Sequence, residues 1–443
     1  MIVPVFHLEF GSTALWRRAC GSVCFGLVAL ALAACQPKSD GVGADASSGP
    51  VKLDTFCSAP GLPPALRETT IVVDTSAITA ASPEEFRAKN PELFKLVIGL
   101  ADPAQAIESG AVAPRERVTL LAGSAPKGTL SPIFTGCLPG ASAAELAAIQ
   151  SSGGGSAAQK YFGSDLPSRI SKQQADFTRQ ILLALMRLDQ LSDAKLATSS
   201  GFDSSPLVKL LKLLGAPNVG DNRVRRLFLF TDISTSSPDV EKTVSDSRRA
   251  GFKVADQIGL NLALDEVYLI SPGSPPDDLT QQFFQAFALG SQGDLRRVGG
   301  WSANGLTAAP AQVVSYSGQL SDGVNSGPMT LQIASTASGE MVNSWISYTA
   351  SFGQRSTPIK GQFICTAERV CTLRSDPTGG LGQLWRYSQG SEPEAREDAP
   401  FGGLRFMSAT ETNAGIDGRI FDPVISIGHP GGGMNFTGKR VGG

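Results

Sequence analysis

One stretch limits the possible folds of this chain more than any other: Thr70-Ile71-Val72-Val73-Asp74-Thr75-Ser76. A short apolar run that stops at acid and hydroxyl side chains reads as a buried strand followed by a turn. The plan recurs downstream in Arg226-Leu227-Phe228-Leu229-Phe230-Thr231-Asp232. Two apolar strands, each ending in an oxygen ligand, predict parallel neighbours that present Asp74 and Asp232 at one rim. Open α/β sheets bind ligands outside the carboxyl ends of their strands, so the rim is where a site is expected.

From 66 to 290 strand-like and helix-like segments alternate. The expected strands are Thr70–Val73, Arg117–Leu121, a short edge strand at Ile133-Phe134, Arg226–Phe230 and Val267–Ile270. Ser82-Pro83 opens helical sequence as cap and first helical position. A long helix is expected from Ser168 to Leu191, because Ile170, Phe177, Ile181, Ala184, Leu188 and Leu191 step by threes and fours. Ser205-Pro206 opens a helix that Gly215 ends, and two more are expected near Pro238–Ala250 and Leu279–Leu289. Strands separated by helix-length segments predict a doubly wound parallel sheet. The Gly-, Ser-, Ala- and Pro-rich stretch 291–311 reads as a linker. Beyond it the helical period is lost. Apolar runs at Val313–Tyr316, Met329–Ile333, Trp345–Ala350, Ile359–Ile364 and Val370–Leu373 predict a C-terminal antiparallel β-sandwich or barrel over 312–443. Gln383–Tyr387, Gly403–Met407, Ile416–Ile420 and Val424–Ile427 continue it.

The first residues speak to compartment. Arg17-Arg18 precedes an apolar run, Val23 to Ala34, too short for an ordinary transmembrane helix and laid out like a secretory signal. Its end, Leu32-Ala33-Ala34-Cys35, resembles the bacterial lipobox. That resemblance implies cleavage of 1–34, a lipid on Cys35, and a flexible tether of small polar residues over 35–65. Gln36 stands where an Asp would argue for inner-membrane retention, which favours the outer membrane. Of seven cysteines, Cys57, Cys137, Cys365 and Cys371 remain for an oxidising compartment, and four can pair in three ways. Five residues separate Cys365 from Cys371, short enough for a hairpin staple, which leaves Cys57 with Cys137. A zinc pair at Cys365 and Cys371 lacks a second Cys or His pair. A formal charge of −2 gives no basic face for nucleic acid. Of two histidines, His7 leaves with the signal, and the single imidazole of His429 excludes multi-histidine metal sites. A Ser-His-Asp hydrolase would rest on His429, with a carboxylate such as Asp422, and no Gly-x-Ser-x-Gly elbow supplies its nucleophile.

Asp74-Thr75-Ser76, the hydroxyls of Ser204-Ser205 and Phe230-Thr231-Asp232 together resemble a von Willebrand factor A-like domain over 66–290. The resemblance implies a Mg²⁺ or Mn²⁺ held by Asp74, Ser76, Ser205 and Asp232, with the ion accepting a partner's carboxylate. Hard cations want such oxygen ligands. The second serine of that family's motif is Ile78 here, which removes one oxygen. More closely, the layout is similar to envelope lipoproteins of bacteria that carry this A-like fold. Gly433 to Arg440 has phosphate-loop spacing, but Arg440 stands where Ser or Thr is needed and no helix can follow. The expectation is a lipid-anchored envelope protein that binds an envelope partner without catalysis. Two other readings exist: a β domain that binds peptidoglycan or lipid on an A-like scaffold, and the His429 hydrolase.

Overall fold

Alternation along the central strands decides the architecture of the first domain. The computed structural model describes residues 51–53, 57, 65–75, 83–142, 145–147, 166–188, 206–214, 223–231, 244–259, 262, 264–271, 277–290, 295–298, 308–321, 323, 326–350, 353–366, 370–375, 384–389, 392–397, 406–421 and 433–441. Its first sheet holds β1 (Val51–Leu53), β2 (Arg67–Asp74), β3 (Arg117–Ser124), β4 (Thr129–Cys137), β5 (Val224–Phe230), β6 (Glu266–Ile270) and β7 (Leu295–Val298). Their order is β1-β4-β3-β2-β5-β6-β7. Ile71, Val73, Phe228, Phe230, Tyr268 and Ile270 face one side. Val72, Leu227, Leu229, Val267 and Leu269 face the other. Both faces are apolar, so both must be covered.

The covers are helices. On the first face lie α2 (Pro91–Leu100) and α4 (Leu166–Leu188), through Leu93, Leu96, Val97, Phe177, Ile181 and Leu188. On the second lie α5 (Pro206–Leu214), α6 (Val244–Ile258) and α7 (Asp278–Gly290), through Leu207, Leu210, Leu211, Ala255, Phe283, Phe284 and Phe287. Each leucine, isoleucine, valine or phenylalanine among them is worth about 1.5–3 kcal/mol when fully buried. Two short helices, α1 (Pro83–Lys89) and α3 (Pro103–Glu108), flank α2. This is an α/β sheet covered on both faces, as the strand and helix alternation implies.

Several details differ from the sequence expectation. The sheet is mixed: β4 runs antiparallel to β3, because the four residues between them are too few for a crossover. Nor is β4 an edge strand, since β1 pairs beyond it in parallel. β1 lies in the stretch read as a tether, and β7, parallel to β6, lies in the stretch read as a linker. Both are short; Val-Lys-Leu and Leu-Arg-Arg-Val carry too little apolar period to register. The helix expected near Pro238–Ala250 runs from Val244 to Ile258.

The second sheet is antiparallel throughout. It holds β8 (Gln312–Ser321), β9 (Ser326–Ser335), β10 (Met341–Ala350), β11 (Gly353–Ile359), β12 (Gly361–Cys365), β13 (Cys371–Ser375), β14 (Leu384–Gln389), β15 (Glu392–Glu397), β16 (Phe406–Thr412), β17 (Gly415–Phe421) and β18 (Gly433–Val441). Eight strands follow in the order β12-β13-β16-β17-β18-β8-β9-β10. The sheet then curls on itself: Glu340, just before β10, bridges Gln362 in β12, and Phe363 N–H donates to Gly339 O at 2.7 Å. The result is a nearly closed barrel filled by Tyr316, Leu331, Tyr348, Phe363, Leu373 and Phe436. The strands β11, β14 and β15 extend from it, and β15 lies along α6. Ile359–Ile364, read as one strand, is two: Gly361 at φ 136° turns the chain between β11 and β12. Val424–Ile427 lies outside the described residues.

Candidate functional site

After the edge strand β1, the chain lays down β2, steps to β3 on one side, and later lays β5, β6 and β7 on the other. The direction of winding therefore reverses between β2 and β5, and a crevice at their carboxyl ends is the expected ligand position. Register pairs Val73 with Phe230, so Asp74 and Thr231 are the next residues outward on adjacent strands. The Thr231 hydroxyl donates to Asp74 Oδ2 at 2.8 Å. Thr231 N–H donates to Ile270 O at 3.1 Å. Thr75 gives both its N–H and its hydroxyl to Gly123 O, at 2.8 and 3.0 Å. Four strand ends are thus tied side by side beneath the rim. Asp74, Thr75 and Thr231 are all buried, so they are its foundation and not its outer surface.

Of the four oxygen ligands expected from sequence, Asp74 alone is described; Ser76, Ser205 and Asp232 lie outside the described residues. The strand register puts Asp74 and Thr231 themselves at the same end of the sheet. One Asp74 oxygen is already engaged by Thr231. Among the described residues no three Cys, His, Asp or Glu side chains converge as a metal site. A scan against known protein families and a search of curated proteins each found no match.

The opposite, amino end of the sheet carries a charge cluster that sequence reasoning missed. Glu116, before β3, is fully buried between Arg67 of β2 and Arg226 of β5. Arg67 reaches it through Nε at 3.2 Å and Nη2 at 3.1 Å, and Arg226 through Nη2 at 3.0 Å. Ala113 N–H adds a bond at 2.7 Å. Burial alone would raise the Glu116 pKa, but the Arg67 and Arg226 charges outweigh it and hold it below the ordinary value. Both guanidinium groups also donate to Ala111 O, at 2.6 and 3.0 Å, which fixes the loop ahead of Glu116. The available signal was the arginine at the foot of each apolar run.

Beside this cluster the two domains meet. Asp265, just before β6, exchanges bonds with Arg225: Arg225 N–H donates to Oδ2 at 2.8 Å and Asp265 N–H to Arg225 O at 3.0 Å. Its Oδ1 accepts from Gln332 Nε2 of β9 at 2.6 Å and from Trp345 Nε1 of β10 at 3.2 Å. Val224 packs with Val313, Ala334 and Val342 of the barrel in a small apolar cluster.

The cysteines form two disulfides, Cys57–Cys137 and Cys365–Cys371, the second between directly opposed residues of β12 and β13. Such bonds fit an oxidising, extracytoplasmic compartment. No helix among the described residues is long and apolar enough to cross a membrane. Cys35, Asp422 and His429 lie outside the described residues. The stretch with phosphate-loop spacing, Gly433 to Arg440, is part of β18, paired on both sides.

Proposed function

We propose that the chain is a lipid-anchored protein of the bacterial envelope whose α/β domain, of the von Willebrand factor A-like kind, holds a protein partner at the β2–β5 crevice. The observation that carries this reading is the Asp74–Thr231 bond. It ties two neighbouring parallel strands where the winding reverses. The work is recognition, not catalysis. Asp74, Ser76, Ser205 and Asp232 are the oxygens that would hold Mg²⁺ or Mn²⁺ there. With Ile78 in place of a hydroxyl and one Asp74 oxygen taken by Thr231, the ion is an adjunct, and partner capture survives EDTA.

Crosslinking in intact cells, followed by recovery of the protein, tests the rim. Asp74→Ala combined with Asp232→Ala loses the captured partner, whereas His429→Ala keeps it. Undiminished capture by the double variant, with its circular dichroism unchanged, would remove the rim from consideration. The anchor has its own test. Cys35→Ser moves the protein from the membrane pellet to the soluble fraction and abolishes incorporation of labelled palmitate. Retention of both label and pelleting in that variant would rule out lipid on Cys35.

A further inference from the structure

We propose that Asp265 is a proton-operated latch that fastens the barrel to the amino end of the α/β sheet. It is independent of whatever the opposite rim binds. Three observations meet at this carboxylate. It is the polar centre of the seam, taking one bond from its own domain and two from the barrel. The apolar cluster of Val224, Val313, Ala334 and Val342, with Leu66 packed against it, lies beside it. The covalent entry to the barrel is held nearby, where Ala309 N–H donates to Gly110 O at 3.0 Å and Ala311 N–H to Ser335 O at 2.8 Å.

Among the described residues the charges around the latch are few. Arg225 supplies its N–H and its guanidinium, and that guanidinium is shared with Glu68 at 3.3 Å. Glu266, the next residue, points to Tyr268 and Arg226 within the first domain. From the barrel come two neutral groups, the Gln332 amide and the Trp345 indole. Burial pushes the Asp265 carboxyl up to about 6, against the pull of the Arg225 N–H, Gln332 and Trp345 bonds. A raised carboxyl means that the docked form holds a proton which the released form gives up. Docking is therefore strongest in acid and weakens as pH rises through 4 to 6, by up to about a hundredfold in the docking equilibrium.

The full chain, ¹⁵N-labelled on tryptophan, reads the latch through the Trp345 indole N–H, assigned by its loss in Trp345→Phe. Its chemical shift titrates with a midpoint near 6 in the wild type. The transition vanishes in Asp265→Asn. In Gln332→Met, which removes a donor that favours the charged carboxylate, the midpoint moves higher. Amide exchange at Ala309 and Ala311, corrected for its intrinsic pH dependence, is slower at pH 5 than at pH 7, and Asp265→Asn erases that difference. A midpoint near 4, a transition that persists in Asp265→Asn, or an unmoved midpoint in Gln332→Met each overturns the proposal. Exchange at Ala309 and Ala311 that is equal at the two pH values in the wild type does so as well.

Discussion

Glu116 is enclosed by two guanidinium groups that would otherwise repel one another at close range inside a sheet. Removing one member of such a set leaves charge buried without compensation, at a cost of about 3–5 kcal/mol. Glu116→Gln is therefore expected to lower the unfolding free energy read from urea titration by that amount at neutral pH, through a lower midpoint at unchanged slope. Because its carboxyl is held low, Glu116 contributes fully above the ordinary carboxylate range. That contribution is lost as pH falls through the depressed value. The variant should thus lose less stability than the wild type on acidification, which denaturation at pH 3 and pH 7 measures. Asp265 acts in the opposite sense, gaining as pH falls through 6. Two buried carboxylates at one end of the sheet have opposite acid responses because two guanidinium groups outweigh burial at Glu116, whereas burial outweighs the donors and the single Arg225 charge at Asp265.

Among the elements, the two disulfides differ most in reach. Cys57–Cys137 spans 80 residues and covalently links the stretch after β1 to β4, whereas Cys365–Cys371 spans 6 within one hairpin. On a chain-entropy account the longer loop is worth about 4–5 kcal/mol and the shorter about 2. Cys57→Ser with Cys137→Ser should cost the more in thermal denaturation, and the reverse ranking would contradict that account. Elements with a strong period were legible in sequence. The strands β2 and β5 follow from their apolar runs, and α4 from the buried spacing of Phe177, Ile181, Ala184 and Leu188. Those defined by pairing were not. In β18 only Phe436 and Gly438 are buried, and a glycine leaves no apolar mark. Gly438 faces Gly318, where a Cβ on Gly318 would fall 1.9 Å from Thr437 O, so the strands approach too closely for any side chain there. The β15 strand, Glu-Pro-Glu-Ala-Arg-Glu, owes its place to ladder bonds with β14 and carries no hydrophobic signal. At the carboxyl end, the apolar runs of β2 and β5 are legible, whereas the Thr231–Asp74 bond is not, because it exists only once the two strands lie side by side. The seam at Asp265 could not be read at all, because Gln332 and Trp345 lie 67 and 80 residues away and only the folded barrel brings them near.

At the scale of the whole molecule, the barrel grips the amino ends of β5 and β6, and the Asp74–Thr231 bond lies at the carboxyl ends of β2 and β5. Attachment of the barrel and the proposed recognition site therefore lie at opposite ends of the first sheet. The register of β2 against β5 is unbroken from Arg67–Val224 to Val73–Phe230. A pull on the rim, resisted at the seam, would travel lengthwise through that ladder. Its rungs would be sheared together instead of being unzipped singly, so the joint between the domains should part before the central strands slide.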